Sequence, residues 1–384
     1  MRLLWVLMAM FFFNVSLVHS RCIYPKTITQ FKDAYPDVKV IECTKNYPFF
    51  YNEFPLYPQH KENYFPNNGY HADLSILEVP NATVSIHPYG YVFVNDCFIK
   101  ETQVKALEPF KDKSCIQEPD LHGVLYIEGR VAVLNHLYSW IYGLFVPEIL
   151  TALALLEIYG VQYDYLWIPC ELSYQKQALA IWGINPDKLI HLFHGQSLQA
   201  DTIILPTSIS QNQGKIVCNV NYIPDFLLKY VRQKMLDGVA KMNIQMNFPE
   251  KIFISRKDAS HARKVPNEDE IFSLFEPFGY KQLEFSKFNM AEKIAISHHA
   301  KSIITFMGSG STNLIYAAPD VKIYEIQQEH VEASYFYMAQ TLGLSFEILN
   351  ATTEHDLFYS PPFASGRVLP IALVKEFIEN HPDL

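Results

Sequence analysis

The stretch ITFMGSGSTNLIYAAP, residues 304–319, joins an apolar run to a helix-like run through a turn of glycine and hydroxyl residues. The first run predicts a buried strand, and the second predicts a helix that ends before Pro319. Gly308 and Gly310 carry no side chain, so a ligand can approach the backbone there. Amide groups at the start of a helix bind anions, most often phosphate. The stretch therefore predicts either a phosphate-binding loop or a merely tight turn.

Strand-like and helix-like runs alternate along much of the chain. Beyond residue 250, apolar strand patterns occur at 251–256, 281–286, 301–306 and 321–326, with helix patterns between them. Similar runs alternate between about residues 123 and 208. This alternation is typical of parallel α/β layers. We therefore expect an α/β protein of two Rossmann-like, doubly wound lobes that face a cleft, with ligands at the carboxyl ends of the strands.

The chain length of 384 residues exceeds what one compact core usually holds, which favours two lobes. A helix pattern at 224–244 separates their strands, and we place the lobes at 21–235 and 236–384. Residues 1–20 combine Arg2 with an apolar run, which is typical of a signal peptide, with an uncleaved anchor as the alternative. No later apolar run approaches ~18 residues, so we expect no transmembrane span in the mature chain.

Composition limits the classes of function. Hydrophobic residues make up 49% of the chain and the net charge is −9, so the chain has sizeable cores but no basic surface for nucleic acid. Six cysteines behind a signal peptide suggest disulfides in the first lobe. Cys97 with Cys115 is a local pairing, and the other connectivities stay open. No CxxC occurs, so we expect no zinc site. Asn81 and Asn350 begin Asn-Ala-Thr triplets that fit N-glycosylation.

A second motif, FISRKDASHARKVPNEDEI, places cations directly after a predicted strand. Arg256 and Arg263 suit a diphosphate, because guanidinium groups bind phosphate oxygens in pairs. The alternative is a solvated basic loop balanced by nearby acidic residues. Glu325 ends another predicted strand, where a carboxylate accepts hydrogen bonds from ribose hydroxyls or is simply exposed. The adjacent pair His298 and His299 does not predict a metal site, because neighbouring helical residues face different directions.

The order of these motifs, from about Gly129 to Leu344, resembles glycosyltransferase family 61. The specific matches are ISRKDASHARKVPNEDEI, GSGSTNLIY and KIYEI at family-like spacing, while residues 165–192 and 200–208 match more loosely. The resemblance implies a GT-B-type arrangement of two lobes, with the acceptor on the first. It also implies a nucleotide sugar, usually a UDP-sugar, as donor on the second. These motifs supply the predicted donor-binding residues Arg256, Arg263, Gly308, Ser309, Gly310, Ser311, Thr312, Asn313 and Glu325.

The resemblance further implies transfer of a sugar, N-acetylglucosamine or a pentose, to a protein or glycan hydroxyl. It implies no tightly bound cofactor and no required metal, because GT-B-type enzymes generally work without one. Family members act in the secretory pathway, so we expect the protein in the endoplasmic reticulum or Golgi lumen, or secreted. We expect no nucleic-acid partner.

Several positions depart from the family pattern. Met307 stands where a His usually precedes the glycine loop, and Ser139 and Gly143 stand at the His and acidic positions of the first lobe. His136 and Glu148 lie close by and are the candidates for the catalytic base. The departures leave open a catalytically inactive relative that binds a nucleotide or glycan. A hydrolase that uses a serine of the glycine loop is a further alternative.

Overall fold

The structure is a computed structural model that describes most of the chain. The described residues are 22–23, 26–52, 68–86, 92–95, 97–102, 116–117, 123–135, 139–191, 196–209, 222–242, 244, 247–259, 264–327, 333–351, 368–382 and 384. The predicted signal peptide, His136, Arg263 and Cys115 lie outside them. None of the helices within this part of the chain has the length and apolar character needed to cross a membrane.

The strands and helices alternate along the chain. The strands are β1 Cys22–Ile23, β2 Lys39–Thr44, β3 Pro48–Phe50, β4 Asn68–Tyr70, β5 Leu74–Ile86, β6 Val92–Val94, β7 Cys97–Phe98, β8 Ile116–Gln117, β9 Gly123–Val133, β10 Tyr165–Trp167, β11 Gln196–Pro206, β12 Lys251–Ile254, β13 Lys281–Leu283, β14 Ser302–Phe306, β15 Lys322–Gln327 and β16 Ser345–Asn350. The α-helices are α1 Ile28–Ala34, α2 Tyr142–Leu144, α3 Leu150–Ile158, α4 Ser173–Trp182, α5 Asp225–Ala240, α6 Glu268–Phe275, α7 Met290–His299, α8 Ser334–Thr341 and α9 Ile371–Glu379. The 3-10 helices are Lys100–Thr102, Pro186–Lys188, Glu276–Phe278, Phe285–Lys287 and Ser309–Tyr316.

The first sheet is mixed rather than doubly wound. Its path runs β10-β9-β11-β5-β6-β7, and β2 also pairs with β5. Only β10, β9 and β11 are mutually parallel, whereas the other pairings are antiparallel. Short connections from β5 to β6 and from β6 to β7 explain this, because a parallel pairing needs a crossover of a dozen residues or more. The expectation of a doubly wound sheet in the first lobe is therefore wrong.

The second sheet is wholly parallel, as its sequence pattern predicted. Its order is β13-β12-β14-β15-β16, and every neighbouring pair is parallel. A helical segment follows each strand and provides the crossover that parallel pairing requires. In order of appearance the strands lie 2-1-3-4-5, which is a doubly wound order. The described part of the chain is thus an α/β structure with a seven-stranded mixed sheet, a five-stranded parallel sheet and two small two-stranded sheets.

A single large apolar cluster contains side chains from both sheets. Ile76 of the first sheet and Ile252 and Ile303 of the second belong to it, together with most of α3. Residues Leu150–Leu156 of α3 are all buried, so this helix is enclosed by protein. A π-helical turn, Phe145–Ile149, contains Pro147 and precedes α3.

The cysteines and glycosylation triplets occupy contrasting environments. Cys97 is buried in the apolar cluster beneath the first sheet and carries a free thiol, while Cys115, its predicted partner, lies outside the described residues, so that pairing stays a prediction. Cys43 and Cys170 are also free thiols. Asn81 is exposed on β5 at a φ of 49°, whereas Asn350 is half-buried at the end of β16.

Gly238 on α5 lies against the backbone of Ile181 on α4. A Cβ at position 238 would meet the Ile181 carbonyl oxygen closer than real Cβ atoms come, and would lie 2.7 Å from Cγ2. We expect Gly238→Ala to destabilise the fold by about 2 kcal/mol, because overpacking outweighs the helix propensity that alanine adds. Thermal unfolding measures the change. Gln233→Ala on the exposed face of α5 is the control, and an equal or higher melting temperature for Gly238→Ala would refute the close contact.

Glu157 is the centre of a partly buried hydrogen-bond network between α3, α4 and α5. Its carboxylate accepts hydrogen bonds from Trp182 Nε1 at 2.8 Å, Tyr230 Oη at 2.7 Å and Lys234 Nζ at 2.9 Å. Burial raises the pKa of Glu157, but the hydrogen bonds from Lys234, Trp182 and Tyr230 together outweigh it, so the pKa is lowered. The ionised carboxylate therefore stabilises the folded state above its ordinary pKa of 4.5.

We expect Glu157→Gln to cost about 1–2 kcal/mol at pH 7, because a charge-assisted network is lost. A group with a lowered folded pKa contributes stability that disappears as the pH falls through that value. The difference between wild type and variant should therefore shrink below pH 4.5. Urea unfolding at several pH values from 7 to 3 tests this, and a constant difference across the range would contradict it.

Candidate functional site

The carboxyl ends of β12 and β14 border one cavity of about 480 Å³. These strands are neighbours in the sheet, and the chain crosses to β13 on one side and to β14 on the other. Ligands of doubly wound folds bind at this reversal of direction. The cavity is lined by Ile141, Tyr142, Ile254, Ser255, Arg256, Asp258, Ala259, Phe285, Ser286, Lys293, Thr305, Phe306, Gly308, Ser309, Gly310 and Asn313.

Gly308 begins the turn that follows β14, and two constraints require glycine there. Its φ of 145° lies in the region that side chains disfavour, and a Cβ would lie 3.0 Å from Arg256 Nη2. Gly310 is different, because the nearest atom to a Cβ there is 3.5 Å away. The predicted helix after the turn is a 3-10 helix, Ser309–Tyr316, and the Ser311 amide donates to the Gly308 carbonyl at 2.8 Å. The turn thus presents bare backbone to the cavity.

Hydrogen bonds from both its backbone and its guanidinium group hold Arg256 beside this turn. Its Nη1 donates to the Met307 carbonyl at 2.5 Å, and its amide donates to Glu268 Oε2 at 3.0 Å. The buried Glu268 carboxylate also accepts hydrogen bonds from Ser255 Oγ at 2.5 Å and from Gln282 Nε2 at 2.8 Å. Glu268 therefore anchors the backbone of Arg256, while the guanidinium group borders the cavity.

Lys293 is a second cation of the cavity, and the sequence motifs do not include it. Its Nζ lies 5.5 Å from the centroid of the Tyr142 ring, and no described carboxylate forms an ion pair with it. Burial lowers the pKa of Lys293, and the negative charge of Asp258 opposes that shift. The available signal was the position of Lys293 near the start of α7, since helices that follow parallel strands begin at the carboxyl edge.

Asp258 is the carboxylate among the described residues that line the cavity. Its Oδ2 accepts a hydrogen bond from the Ser286 amide at 3.0 Å. Asp258 lies within the ISRKDASHARK motif, two residues beyond Arg256, yet the motif alone gave no reason to select it. The cavity therefore combines two cations with one anchored carboxylate.

The segment before α3 closes another side of the cavity. Tyr142 Oη donates to Asn313 Oδ1 at 2.7 Å, and Asn313 Nδ2 donates to the Gly310 carbonyl at 2.9 Å. Burial, with smaller effects from neighbouring tyrosines, raises the pKa of Tyr142 well above its ordinary value, so the hydroxyl stays protonated and acts as a donor. A Cβ at Gly143 would lie 3.0 Å from Ser309 Oγ. A side chain at position 143 would therefore require Ser309 to shift by a few tenths of an ångström.

The structure brings only part of the predicted donor site together. Arg256, Gly308, Ser309, Gly310 and Asn313 line the cavity, while Arg263 lies outside the described residues. Two predicted residues, Ser311 and Thr312, are buried and do not line it.

Glu325 does not stand at a strand end, because β15 continues to Gln327. Its side chain is fully buried, and its Oε1 accepts a hydrogen bond from Gln327 Nε2 at 2.9 Å. This buried position departs from the predicted ribose contact.

The predicted catalytic pair receives little support from the described geometry. Glu148 is buried in the π-helical turn and is absent from the cavity lining, and His136 lies outside the described residues. No group of three or more His, Cys, Asp or Glu side chains in the described part of the chain is placed to hold a metal ion. His298 Nδ1 instead lies 3.1 Å from the Tyr316 carbonyl oxygen. Arg256 and Lys293 instead make the cavity suited to an anionic ligand.

Comparison with known proteins agrees with the sequence motifs. Residues 142–324 match the family model described as Glycosyltransferase 61. This segment contains every residue that lines the cavity except Ile141. A search of the curated proteins finds no match. Members of the matched family are glycosyltransferases that generally act in the secretory pathway. The match over residues 142–324 therefore supports membership of glycosyltransferase family 61.

Proposed function

We propose that the protein moves a sugar, N-acetylglucosamine or a pentose, from a UDP-sugar to a protein or glycan hydroxyl. The observation that carries this proposal is the convergence of Arg256, Lys293 and the bare backbone at Gly308 on one cavity. In this proposal residues 21–235 and 236–384 form the two lobes of a GT-B-type enzyme in the endoplasmic reticulum or Golgi lumen. The donor binds to the second lobe and the acceptor to the first.

The cavity suits a diphosphate in size and charge. Its volume of about 480 Å³ is in the range of small-molecule sites. Arg256 offers a planar fork for two phosphate oxygens, and Lys293 adds a compact positive charge. Because Lys293 is desolvated and makes no ion pair with a described residue, an anion in the cavity would restore favourable interactions to its ammonium.

Transfer replaces one bond at the anomeric carbon of the donor sugar. The acceptor oxygen bonds to that carbon, the bond from the carbon to the diphosphate oxygen breaks, and the electron pair of that bond leaves with UDP. Arg256 and Lys293 stabilise the charge that builds on the departing diphosphate. Since two fixed cations meet this requirement, the proposal needs no bound metal.

Asp258 accepts the proton of the attacking hydroxyl in this proposal. The Ser286 amide holds Oδ2, which leaves Oδ1 to accept a hydrogen bond from a substrate. Ser139, Gly143 and Met307 carry neither a carboxylate nor an imidazole, so the usual family positions supply no base. Asp258 is the carboxylate that the described cavity offers instead.

Calorimetry with UDP tests the donor site. We expect Arg256→Ala and Lys293→Met each to weaken UDP binding by at least about tenfold, because each removes a charge-assisted contact to phosphate. Lys301→Met is the matched control, since Lys301 pairs with Asp320 at the opposite edge of the sheet. UDP affinity of this control should stay within about twofold of wild type.

Two outcomes would change the conclusion. If the folded wild-type protein binds neither UDP nor any UDP-sugar, the transferase proposal is wrong. If UDP binds but no UDP-sugar is transferred or hydrolysed, the protein is the catalytically inactive relative that the departures from the family pattern leave open.

We expect Asp258→Asn to lower kcat by about 100-fold or more while the UDP affinity stays near that of wild type, because a general base acts on the chemical step. Asp269→Asn is the control, because Asp269 is exposed and pairs with Lys257 outside the cavity. A fall in UDP affinity with unchanged kcat would instead place Asp258 on the ribose.

A further inference from the structure

An apolar patch borders the mouth of the cavity. Trp140 is 50% exposed, Leu172 41% and Ile141 38%, and we call these three residues the Trp140 patch. Ile141 also lines the cavity, so the patch continues directly from the candidate donor site. Trp140 differs from the other described tryptophans, since Trp167 is half-buried and Trp182 is buried. A large exposed indole beside a cavity is typical of a ligand-binding surface.

The turn that carries Trp140 is held by two side chains of α4. Tyr174 Oη donates to the Trp140 carbonyl at 2.9 Å, and Gln175 Nε2 donates to the Ser139 carbonyl at 3.1 Å. Gln175 Oε1 also accepts a hydrogen bond from the Leu172 amide at 2.9 Å. One glutamine therefore ties both segments of the patch together. The backbone beneath the indole is fixed, which reduces the entropy lost when a ligand binds.

The same support connects the patch to the glycine turn. The Tyr174 ring meets the Tyr142 ring edge-on, with centroids 5.3 Å apart. Tyr142 in turn donates its hydroxyl to Asn313, which lines the cavity beside Gly310. A ligand that rests on Trp140 is thus positioned relative to the donor through direct contacts.

The chemistry of the patch favours a sugar ring over an extended peptide. The apolar C–H face of a pyranose stacks well on an indole, whose π-face is electron-rich. An extended peptide docks by pairing with backbone groups, yet the carbonyls of Ser139 and Trp140 already accept hydrogen bonds from α4. The patch is also small and contains one aromatic ring, which matches one monosaccharide unit.

We infer that the Trp140 patch is an acceptor subsite that binds a pyranose unit of a glycan and directs its hydroxyl into the cavity. This inference rests on the proposed function. It identifies the acceptor class as a glycan, and it predicts that the determinants of acceptor and donor binding are separable.

Acrylamide quenching of tryptophan fluorescence in the full chain tests the subsite. The probes are methyl α-mannoside, methyl β-N-acetylglucosaminide, N,N′-diacetylchitobiose and xylobiose, with a serine-containing peptide for comparison. We expect at least one saccharide to protect Trp140, with the signal isolated as the difference between wild type and Trp140→Phe. Trp140→Ala should weaken saccharide affinity at least about tenfold, and Trp140→Phe, which keeps an aromatic face, should retain most of it.

Calorimetry with UDP separates this inference from the proposed function. UDP affinity should be the same within about twofold for wild type, Trp140→Ala and the control Tyr70→Ala, which alters an exposed aromatic residue elsewhere. Loss of UDP binding in Trp140→Ala, with an unchanged melting temperature, would place the indole in the donor site and overturn the inference. Protection by the peptide alone, or by no probe while wild type binds UDP, would overturn it as well. Absence of UDP binding in wild type would instead refute the proposed function.

Discussion

The close approach of Arg256 to the bare backbone of Gly308 is the contact on which the site depends. It joins the ends of β12 and β14, the two strands between which the sheet reverses its direction of growth. The guanidinium can reach the Met307 carbonyl only because residue 308 has no side chain and adopts a positive φ. The turn, the 3-10 helix after it and the position of Asn313 all follow from that junction. The absence of a side chain at Gly308 therefore determines the shape of this side of the cavity.

The local sequence pattern was sufficient to predict the parallel second sheet and about half of the residues in the candidate donor site. Strands β12 and β14 are short apolar runs, and the residues that follow them, Arg256 and Gly308, are neighbours because parallel strands end at one edge. Glu325 shows the limit of that reasoning. An apolar run does not reveal where its strand stops, and β15 extends far enough to bury this carboxylate beside Gln327. Ser311 and Thr312 are buried because the segment after the turn is a 3-10 helix. Its residues face different directions from those of the α-helix that the pattern suggested.

Features that depend on distant segments were not predictable from the pattern. Lys293 enters the cavity from the helix after β13, and Gly143 touches Ser309 across more than a hundred residues of chain. Pattern also failed to separate parallel from antiparallel pairing in the first sheet, because both give the same alternation along a strand. Cys97 illustrates the same limit, since counting thiols says nothing about which of them the core encloses.

The enclosure of α3 has a consequence for how substrates exchange. Side chains of this helix and of both sheets share one apolar cluster, so pulling the sheets apart would expose that cluster to water. A wide hinge motion between the sheets would carry a free-energy penalty that grows with the exposed area. The shared cluster therefore favours ligand exchange at the cavity without separation of the two sheets.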